Sequence, residues 1–391
     1  MPERTTMNVL HAYKVYRPDV DGGIPEVIAK LTRPNASGDR AEILVARDRG
    51  LPRRYVFDGC EVRAVGSFGQ ISSMPIAPGF PFALRRAARR FDVLALHYPF
   101  PLNDLGVALG IPDEVAVVVH WHADIIGRGA VMPLLTPLIR RTLDRADRII
   151  ISHQSIFDGS SLLQPFAAKC VSIPFGVDTS EWTDVDAALQ QRIEELKQRH
   201  PRLIVAMGRL VPYKGFAVLL EALTQIDGEL VIIGEGAERD NLQRLAARLG
   251  VSDRLQLPGF LPRDEVKAYF HAAKLFTLPS VTIAEAFGLV QIEAMAVGLP
   301  VVNTALPTAV PTIARDGQEG LTVPIHDAPR LAAAINRLLD DPALAGAFGE
   351  AGRRRVATHY EQSVFHSSVR QVYEFAVESR RNRSPRGETK T

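Results

Sequence analysis

Cysteine is scarce in this sequence. Only Cys60 and Cys170 occur among the 391 residues. Two cysteines cannot build a disulfide framework, and no group of cysteines and histidines has the spacing of a zinc site. The scarcity therefore excludes a small fold that disulfides or zinc hold together. We expect two buried, unreactive thiols in a reducing compartment.

Long hydrophobic runs are also missing. No apolar run is long enough to cross a bilayer, and residues 1–6 lack the apolar region of a secretion signal. Hydrophobic residues make up 46% of the chain and charged residues 23%, which is typical of a soluble globular protein. These features predict a cytoplasmic protein that is large enough for two or three domains.

An excess of one charge is absent as well. Lysine and arginine number 46 and aspartate and glutamate 44, so the formal net charge is only +2. This balance gives no reason to expect nucleic acid as a partner. Arginine is nevertheless concentrated in one predicted helix at 82–91, at Arg85, Arg86, Arg89 and Arg90. That segment is either a solvated basic face or a surface that contacts anionic lipid headgroups.

Short β-branched runs alternate with helical patterns along the whole chain. One set of predicted strands lies at 8–11, 43–46, 93–96, 115–119 and 149–151, and a second set at 203–206, 230–233, 274–278 and 300–302. Such runs are typical of buried parallel strands with right-handed crossovers. The sequence thus predicts an α/β fold with Rossmann-like domains at 1–177 and 178–358, facing a central cleft. A helix is predicted at 359–378, and a disordered basic tail at 379–391.

Two glutamates, Glu285 and Glu293, stand eight positions apart around Gly288. A strand that ends before Pro279 precedes them, and a helix that begins near Gly288 follows. Glycine lets the backbone approach a ligand closely, and the amino end of a helix favours an anion such as a phosphate. Glu293 lies about 7.5 Å along the helix axis from its start. The two carboxylates can therefore bind a sugar and a ribose on opposite sides of a diphosphate.

Positive charges follow the first strand of the second domain. They lie in the sequence Gly208–Arg209–Leu210 and at Lys214. Cations fixed at the carboxyl end of a strand can bind a phosphate group and stabilise its negative charge. The alternative interpretation is a solvated loop with two ordinary surface charges.

Two segments of the first domain also suggest a ligand. Gly22 and Gly23 follow the first strand and open a helix, where backbone N–H groups can bind a phosphate or sugar oxygen. The alternative there is a tight turn without a ligand. His120 and His122 end another strand close to Asp124, but no third metal ligand is evident from the sequence.

The run Glu285–Ala286–Phe287–Gly288–Leu289, together with Glu293, resembles the donor loop and the E-x7-E element of the retaining GT-B glycosyltransferases of family 4. The resemblance covers nearly the whole chain and is strongest over 207–302. It implies the GT-B fold, in which a C-terminal helix returns to the N-terminal domain.

The resemblance also implies roles for individual residues. The catalytic residues that it implies are Arg209, Lys214, Glu285 and His122. The donor-binding residues that it implies are Gly22, Gly23, Gly208, Phe287, Gly288, Leu289, Val290 and Glu293. It places Asp124 and Arg128 on the acceptor side.

The function that follows is retaining transfer of a hexosyl group from a UDP- or GDP-type sugar to a hydroxyl group. The expected acceptor is a lipid-linked or polysaccharide intermediate at the inner face of the cell membrane. No cofactor and no catalytic metal are expected, although Asp-x-Asp triplets occur at 19–21 and 184–186.

Two other classes of protein remain open at this point. One is a nucleotide-sugar-binding protein without transfer activity. The other is a nicotinamide-dependent oxidoreductase, although Gly234–Glu235–Gly236 lacks the third glycine of the dinucleotide fingerprint.

Overall fold

The β-branched runs form two parallel sheets, each at the centre of its own unit. The computed structural model describes residues 6–20, 22–33, 38–71, 74–124 and 132–383. Unit 1 comprises Met1–Pro174 and Phe365–Thr391, and unit 2 comprises Phe175–Val364. The predicted α/β class with two domains is confirmed.

The strands of unit 1 begin and end close to the predicted runs. They are β1 (Asn8–Tyr13), β2 (Arg40–Ala46), β3 (Arg53–Phe57), β4 (Cys60–Val65), β5 (Gln70–Ile71), β6 (Met74–Pro75), β7 (Val93–Tyr98), β8 (Ala116–Trp121), β9 (Arg148–Ile151) and β10 (Cys170–Ser172). Eight of them form one sheet in the order β10-β9-β8-β7-β1-β2-β4-β3, and β5 pairs with β6. The strand order reverses between β1 and β7, and the crevice beyond the carboxyl ends at such a reversal is where α/β sheets bind ligands.

One part of this sheet differs from the prediction. Strands β3 and β4 form an antiparallel hairpin at the edge of the sheet. Asp58 (φ 49°) and Gly59 (φ 76°) form its turn, and both have the positive φ values of a tight hairpin. Neither strand was predicted, because the predicted strands were uniformly apolar runs and both of these strands contain charged residues.

The helices of unit 1 include one that is shorter than predicted. They are α1 (Gly23–Thr32), α2 (Phe80–Ala88), α3 (Pro101–Ala108), α4 (Met132–Arg145) and α5 (Gln154–Gly159), with a 3-10 turn at Gln164–Lys169. Helix α2 ends before Arg89 and Arg90, which lie in the following turn and are exposed, as are Arg85 and Arg86.

Unit 2 has the same kind of architecture. Its strands are β11 (Leu203–Met207), β12 (Glu229–Ile233), β13 (Leu255–Gly259), β14 (Leu275–Leu278), β15 (Val301–Thr304) and β16 (Gly320–Val323). Its helices are α6 (Thr179–Thr183), α7 (Ala187–Arg199), α8 (Phe216–Leu223), α9 (Arg239–Leu249), α10 (Arg263–Ala272), α11 (Leu289–Ala296), α12 (Val310–Ile313), α13 (Ala328–Asp340) and α14 (Pro342–Arg355). The parallel strands lie in the order β13-β12-β11-β14-β15-β16, so the order reverses between β11 and β14.

Burial explains why these strands were visible in the sequence. Leu203, Ile204, Val205 and Ala206 of β11 are each fully buried. Their side chains alternate between two hydrophobic clusters, one on each face of the sheet. A strand covered on both faces must be apolar at every position, which gives the continuous runs of the sequence.

The final helix belongs to both units. Helix α15 (Gln362–Arg383) begins in unit 2 and continues from Phe365 in unit 1. The return of the C-terminal helix to the N-terminal unit, implied by the family resemblance, is thus present. The predicted disorder from residue 379 is wrong over 379–383, because the Arg380 guanidinium donates to Asp147 at 2.9 Å and to the Arg145 carbonyl at 3.0 Å.

Both cysteines are unpaired thiols. Cys60 is buried as predicted, whereas Cys170 is only partly buried. Burial raises the pKa of each thiol to about 11, so both are protonated at neutral pH. Among the described residues, no helix is both long enough and apolar enough to cross a membrane.

Candidate active site

The strand reversal of unit 2 brings the two conspicuous sequence motifs together. Arg209 and Lys214 follow β11, and Glu285 and Gly288 follow β14, the strand beside it. The two loops are joined by a hydrogen bond from the Val281 N–H to the Tyr213 carbonyl at 2.8 Å. The motifs therefore meet at one edge of the sheet, although about seventy residues separate them.

Lys214 and Glu285 form an ion pair in this place. The Lys214 Nζ lies 2.5 Å from Glu285 Oε2, and each side chain is only 10% exposed. The Ser280 hydroxyl donates to the same carboxylate oxygen at 2.9 Å. A buried charge is stable only when it is paired and hydrogen-bonded, and these contacts satisfy that condition. Both residues were predicted for the site, but their pairing was not.

The position of Lys214 depends on Gly208, because glycine has no side chain. Gly208 has φ +154°, and a Cβ atom placed there would lie 3.0 Å from Lys214 Cε and 3.1 Å from its Nζ. The next residue, Arg209, is exposed. No described residue forms an ion pair with its guanidinium, so it can approach an anion from solvent without breaking a contact.

Helix α11 begins at this edge of the sheet. Its N-cap is Gly288, which has φ +78°, and a Cβ atom there would lie 2.8 Å from Leu278 Cδ2 and from Gln291 Nε2. Only glycine fits both this backbone conformation and this space. The predicted helix start at Gly288 is confirmed. The backbone N–H groups and the positive dipole end of α11 therefore lie beside the Glu285 loop.

The remaining proposed donor-binding residues of unit 2 differ in their surroundings. The Phe287 ring packs in the hydrophobic core against Phe175, with ring centroids 4.8 Å apart, so its side chain belongs to the core of unit 2. Leu289, Val290 and Glu293 are partly buried on α11. Glu293 is the fifth residue of the helix, more than one turn from its start, as predicted.

Gly22 and Gly23 stand at the start of α1 in unit 1, the helix that follows β1. Both are exposed, and Gly22 is the N-cap. A Cβ atom at Gly23 would meet no other atom within 4 Å, and at Gly22 it would reach only Pro25 Cδ at 4.0 Å. Packing within unit 1 therefore does not require glycine at either position.

His122 lies one residue beyond β8 and is 9% exposed. Its Nε2 is 2.9 Å from Nδ1 of His97, and the two rings are stacked at 7°. Burial lowers the pKa of His122 to about 3, so the ring is neutral at pH 7. A neutral imidazole has one N–H donor and one bare nitrogen acceptor, which suits hydrogen bonding to a sugar hydroxyl.

The structure describes only one of the two proposed acceptor-side residues. Asp124 is partly buried, and its Oδ1 accepts a hydrogen bond from the Trp121 indole at 2.8 Å. Arg128 lies outside the described residues. In the triplet at 184–186, the Asp186 carboxylate caps α7 by accepting from the Leu189 N–H at 2.8 Å. Within the described ranges, no three His, Cys, Asp or Glu side chains are grouped so that they could hold a metal ion.

Comparison with known proteins identifies the family. Residues 22–176 match the family model described as Glycosyl transferase 4-like domain, and residues 189–355 match Glycosyl transferases group 1. A GDP-mannose-dependent alpha-(1-6)-phosphatidylinositol monomannoside mannosyltransferase of Mycobacterium tuberculosis is 30% identical over 72% of this chain and 76% of its own length. The chain belongs to the group 1 glycosyltransferases.

Two further comparisons agree with this assignment to the group 1 glycosyltransferases. The O-antigen chain mannosyltransferase C of Escherichia coli is 27% identical over 89% of this chain and 93% of its own length. A structure of sucrose-phosphate synthase from Thermosynechococcus elongatus superimposes with a TM-score of 0.77 at 22% identity, covering 95% of this chain and all of that one. The fold is therefore GT-B, and the oxidoreductase interpretation is rejected.

A buried amide network in this glycosyltransferase was not predicted. The Asn303 side-chain amide donates to Gln291 Oε1 at 2.9 Å and to the Val310 and Ala314 carbonyls at 3.1 and 2.9 Å. Asn303 and Gln291 are both fully buried. The network fixes α11 to the segment that follows β15. A polar residue inside the apolar strand Val301–Thr304 was the available sequence signal.

Proposed function

We propose that this glycosyltransferase moves a mannose-like hexosyl group from a GDP-sugar to a hydroxyl group of a saccharide or lipid-linked saccharide. The proposal includes retention of the anomeric configuration and independence of metal ions. Support for the sugar comes from the two relatives above, because both are named as mannosyltransferases and one as GDP-mannose-dependent. A UDP-sugar is the alternative donor that the tests below compare.

The observation that carries this proposal is the buried Lys214–Glu285 pair beside the start of α11. Lys214, Arg209 and the first N–H groups of α11 offer positive charge and donors to a diphosphate. We assign Glu285 to the hydroxyl groups of the donor sugar and Glu293 to the ribose. In unit 1, His122 is assigned to the donor sugar, and the start of α1 at Gly22 and Gly23 to an oxygen of the donor.

The proposed reaction needs no group beyond the substrates and these residues. The acceptor oxygen forms a bond to the anomeric carbon on the face that the diphosphate leaves. The bond between that carbon and the phosphate oxygen breaks, and the phosphate takes the proton of the acceptor hydroxyl. Arg209 and Lys214 stabilise the charge that develops on the diphosphate. Glu285 is already bound to Lys214 and Ser280, which favours a positioning role for its carboxylate.

The stereochemistry of the product tests the mechanism. We expect GDP-α-mannose to give an α-linked product, identified by the one-bond carbon–proton coupling at the anomeric carbon in NMR. The rate should be unchanged in EDTA. A β-linked product would refute the mechanism, and a rate that EDTA abolishes and Mg²⁺ restores would refute independence of metal ions. We also expect slow hydrolysis of the donor in the absence of acceptor, which an enzyme catalyses and a protein that only binds nucleotide sugars does not.

The nature of the donor base can be tested by thermal shift. A ligand at about 100 times its Kd stabilises the folded protein by roughly 2.7 kcal/mol. We expect GDP to raise the melting temperature more than UDP or ADP at equal concentration. A larger shift with UDP would replace the proposed donor class and leave the assignment of the diphosphate contacts intact.

Replacing Gly23 with alanine tests the proposed contact at the start of α1. Since a Cβ atom at Gly23 meets nothing within 4 Å, we expect the melting temperature to stay the same or rise slightly. We expect the KM for the donor to rise about tenfold, a loss of about 1.4 kcal/mol of binding. Gly346→Ala on α14 is the matched control, since its Cβ is equally unobstructed. An unchanged KM in Gly23→Ala would leave this turn as a structural feature only.

We further propose that unit 1 carries a surface for anionic membrane lipids, which would hold the enzyme at the inner face of the membrane. A groove of about 630 Å³ lies between the β3–β4 hairpin and α2. Five arginines line it: Arg53, Arg54, Arg63, Arg86 and Arg90. None of the described residues that line it is acidic, although Arg63 forms an ion pair with Glu42 at 2.6 Å.

Two features of the groove favour a lipid headgroup. Arg54 and Arg63 lie directly opposite each other in the hairpin, an arrangement that like charges disfavour and that a bound phosphate would stabilise. Large apolar side chains adjoin the groove: Leu51 (82% exposed) precedes its lining residue Pro52, and Phe82 (64% exposed) precedes its lining residue Ala83. Cations beside exposed apolar groups are typical of peripheral membrane surfaces.

Paired arginine variants distinguish this surface from a solvated basic face. Arg86→Gln with Arg90→Gln should weaken binding to phosphatidylglycerol vesicles by about 30-fold, since each arginine near the surface contributes about 1 kcal/mol. Arg85→Gln with Arg89→Gln removes the same charge from the same segment outside the groove and should have a smaller effect. Binding should also fall with added salt. Equal losses in both pairs, or no binding to anionic vesicles, would contradict the proposal.

A further inference from the structure

Four histidines meet inside unit 1 at the carboxyl ends of three neighbouring strands. His11 lies on β1, His97 on β7, and His120 on β8, with His122 just beyond it. Because β1, β7 and β8 are adjacent in the sheet, residues far apart in sequence come into contact. All four side chains are buried, with exposures between 0% and 9%.

Three of these histidines form a chain of hydrogen bonds. His11 Nδ1 lies 3.0 Å from His97 Nε2, and His97 Nδ1 lies 2.9 Å from His122 Nε2. The fourth, His120, stacks on His97 with ring centroids 4.6 Å apart, but its Nε2 contacts the Tyr373 hydroxyl at 2.7 Å instead. His120 therefore belongs to the stack of rings and lies outside the chain.

The chain permits only two arrangements of protons. Burial lowers the pKa of His11 and His122 to about 3 and that of His97 well below 6.5, so each ring is neutral at pH 7. A neutral imidazole carries one N–H and one bare nitrogen. If His11 donates from Nδ1, His97 must donate from Nδ1 and His122 must carry its proton on Nδ1. In the reverse arrangement, all three rings carry the proton on Nε2.

We infer that His11 and His97 are positioning residues that fix the ring orientation and the tautomer of His122. The inference rests on the proposed function, in which His122 contacts the donor sugar. His11 acts on His122 through His97, which lies between them in the chain of hydrogen bonds. On its other side, His11 borders a cavity of about 40 Å³, which has room for a water molecule.

Nitrogen NMR of the wild-type protein tests the chain without any activity measurement. With ¹⁵N-labelled histidine, long-range ¹H–¹⁵N correlations at pH 7 identify the protonated nitrogen of each ring. We expect His11, His97 and His122 to share one tautomer. Different tautomers among these three rings would overturn the inference, whatever the reaction proves to be.

Substitutions at His11 test the effect on catalysis. His11→Leu breaks the first hydrogen bond and should return His97 and His122 to a mixture of tautomers. It should lower kcat by about 10- to 100-fold, the effect of a small misplacement of a reacting group. His11→Asn places an amide that can donate or accept near the position of Nδ1, so kcat should recover to within about threefold of the wild-type value.

His120→Phe is the matched control, because it removes a histidine from the same stack without cutting the chain. It should lower the melting temperature and leave the tautomers and kcat near wild-type values. Equal loss of kcat in His11→Leu and His120→Phe would show a merely structural role and overturn the inference. If instead His122→Ala retains full turnover while the shared tautomer is present, the proposed role of His122 fails and the chain itself stands.

Discussion

Replacing Arg209 with methionine is expected to lower the turnover number by about 100- to 1,000-fold, as loss of a preorganised donor does at an oxyanion site. Arg209 is exposed and adjoins the buried Lys214 site, so its charge is available to the departing diphosphate. That charge grows as the sugar bond breaks, which makes the contact stronger in the transition state than in the ground state. Steady-state kinetics with saturating donor measures the effect, and the Kd for the nucleoside diphosphate should change much less than kcat.

Two further variants distinguish loss of transition-state stabilisation from loss of donor binding and from a general loss of charge. Glu293→Ala should mainly raise the donor KM, because a ribose contact is similar in the ground and transition states. Arg248→Met removes another exposed arginine, on α9 of the same unit, and should leave both constants near wild-type values. If Arg209→Met raised KM and left kcat intact, Arg209 would be a binding residue and the mechanism would need another stabilising group.

Removing Lys214 alone is expected to destabilise unit 2 by about 3 to 5 kcal/mol, because Lys214→Met leaves the buried Glu285 carboxylate without its cation. The double variant Lys214→Met with Glu285→Gln removes that charge and should recover about 1 to 3 kcal/mol. Activity should be lost in both. Urea unfolding followed by fluorescence measures the difference, with Trp182 of unit 2 as the reporter in a Trp121→Phe background.

An exposed ion pair in the same unit provides the comparison for Lys214. Arg192 and Glu265 lie 3.2 Å apart with side chains 34% and 38% exposed. Since surface pairs contribute little, Arg192→Met should change the unfolding free energy by less than about 1 kcal/mol. Similar losses of unfolding free energy in Lys214→Met and Arg192→Met would show that burial does not increase the contribution of the Lys214–Glu285 pair to stability.

The buried strands could be predicted because burial on both faces leaves a continuous apolar signal. The edge hairpin was missed for the opposite reason. Its strands are only partly covered, as in Tyr55–Val56–Phe57, where Val56 is exposed and its two neighbours are partly buried. The Asp58–Gly59 turn was the available signal, since this dipeptide between alternating strands favours a hairpin. A search for period-two alternation would have identified β4 but not β3, in which two arginines precede three apolar residues.

The site shows the same division between local and long-range information. The Gly288 turn and the start of α11 depend on neighbouring residues, so a single stretch of sequence predicts them. The Lys214–Glu285 pair and the chain from His11 to His122 depend on which strands lie side by side. Strand order follows from the packing of the whole unit, and no local spacing in the sequence encodes it.

The division of unit 1 into two stretches of sequence has a consequence for its synthesis. Unit 2 is continuous, and its first and last segments pair through the Val177 N–H and the Tyr360 carbonyl at 2.7 Å. Unit 1 instead requires Tyr373 for His120 and Arg370 for Asp39. At about 5 to 20 residues per second, the ribosome delivers these partners about 10 to 40 s after Pro174. The nascent first half must wait, with that side of its sheet uncovered, until the whole second unit has been synthesised.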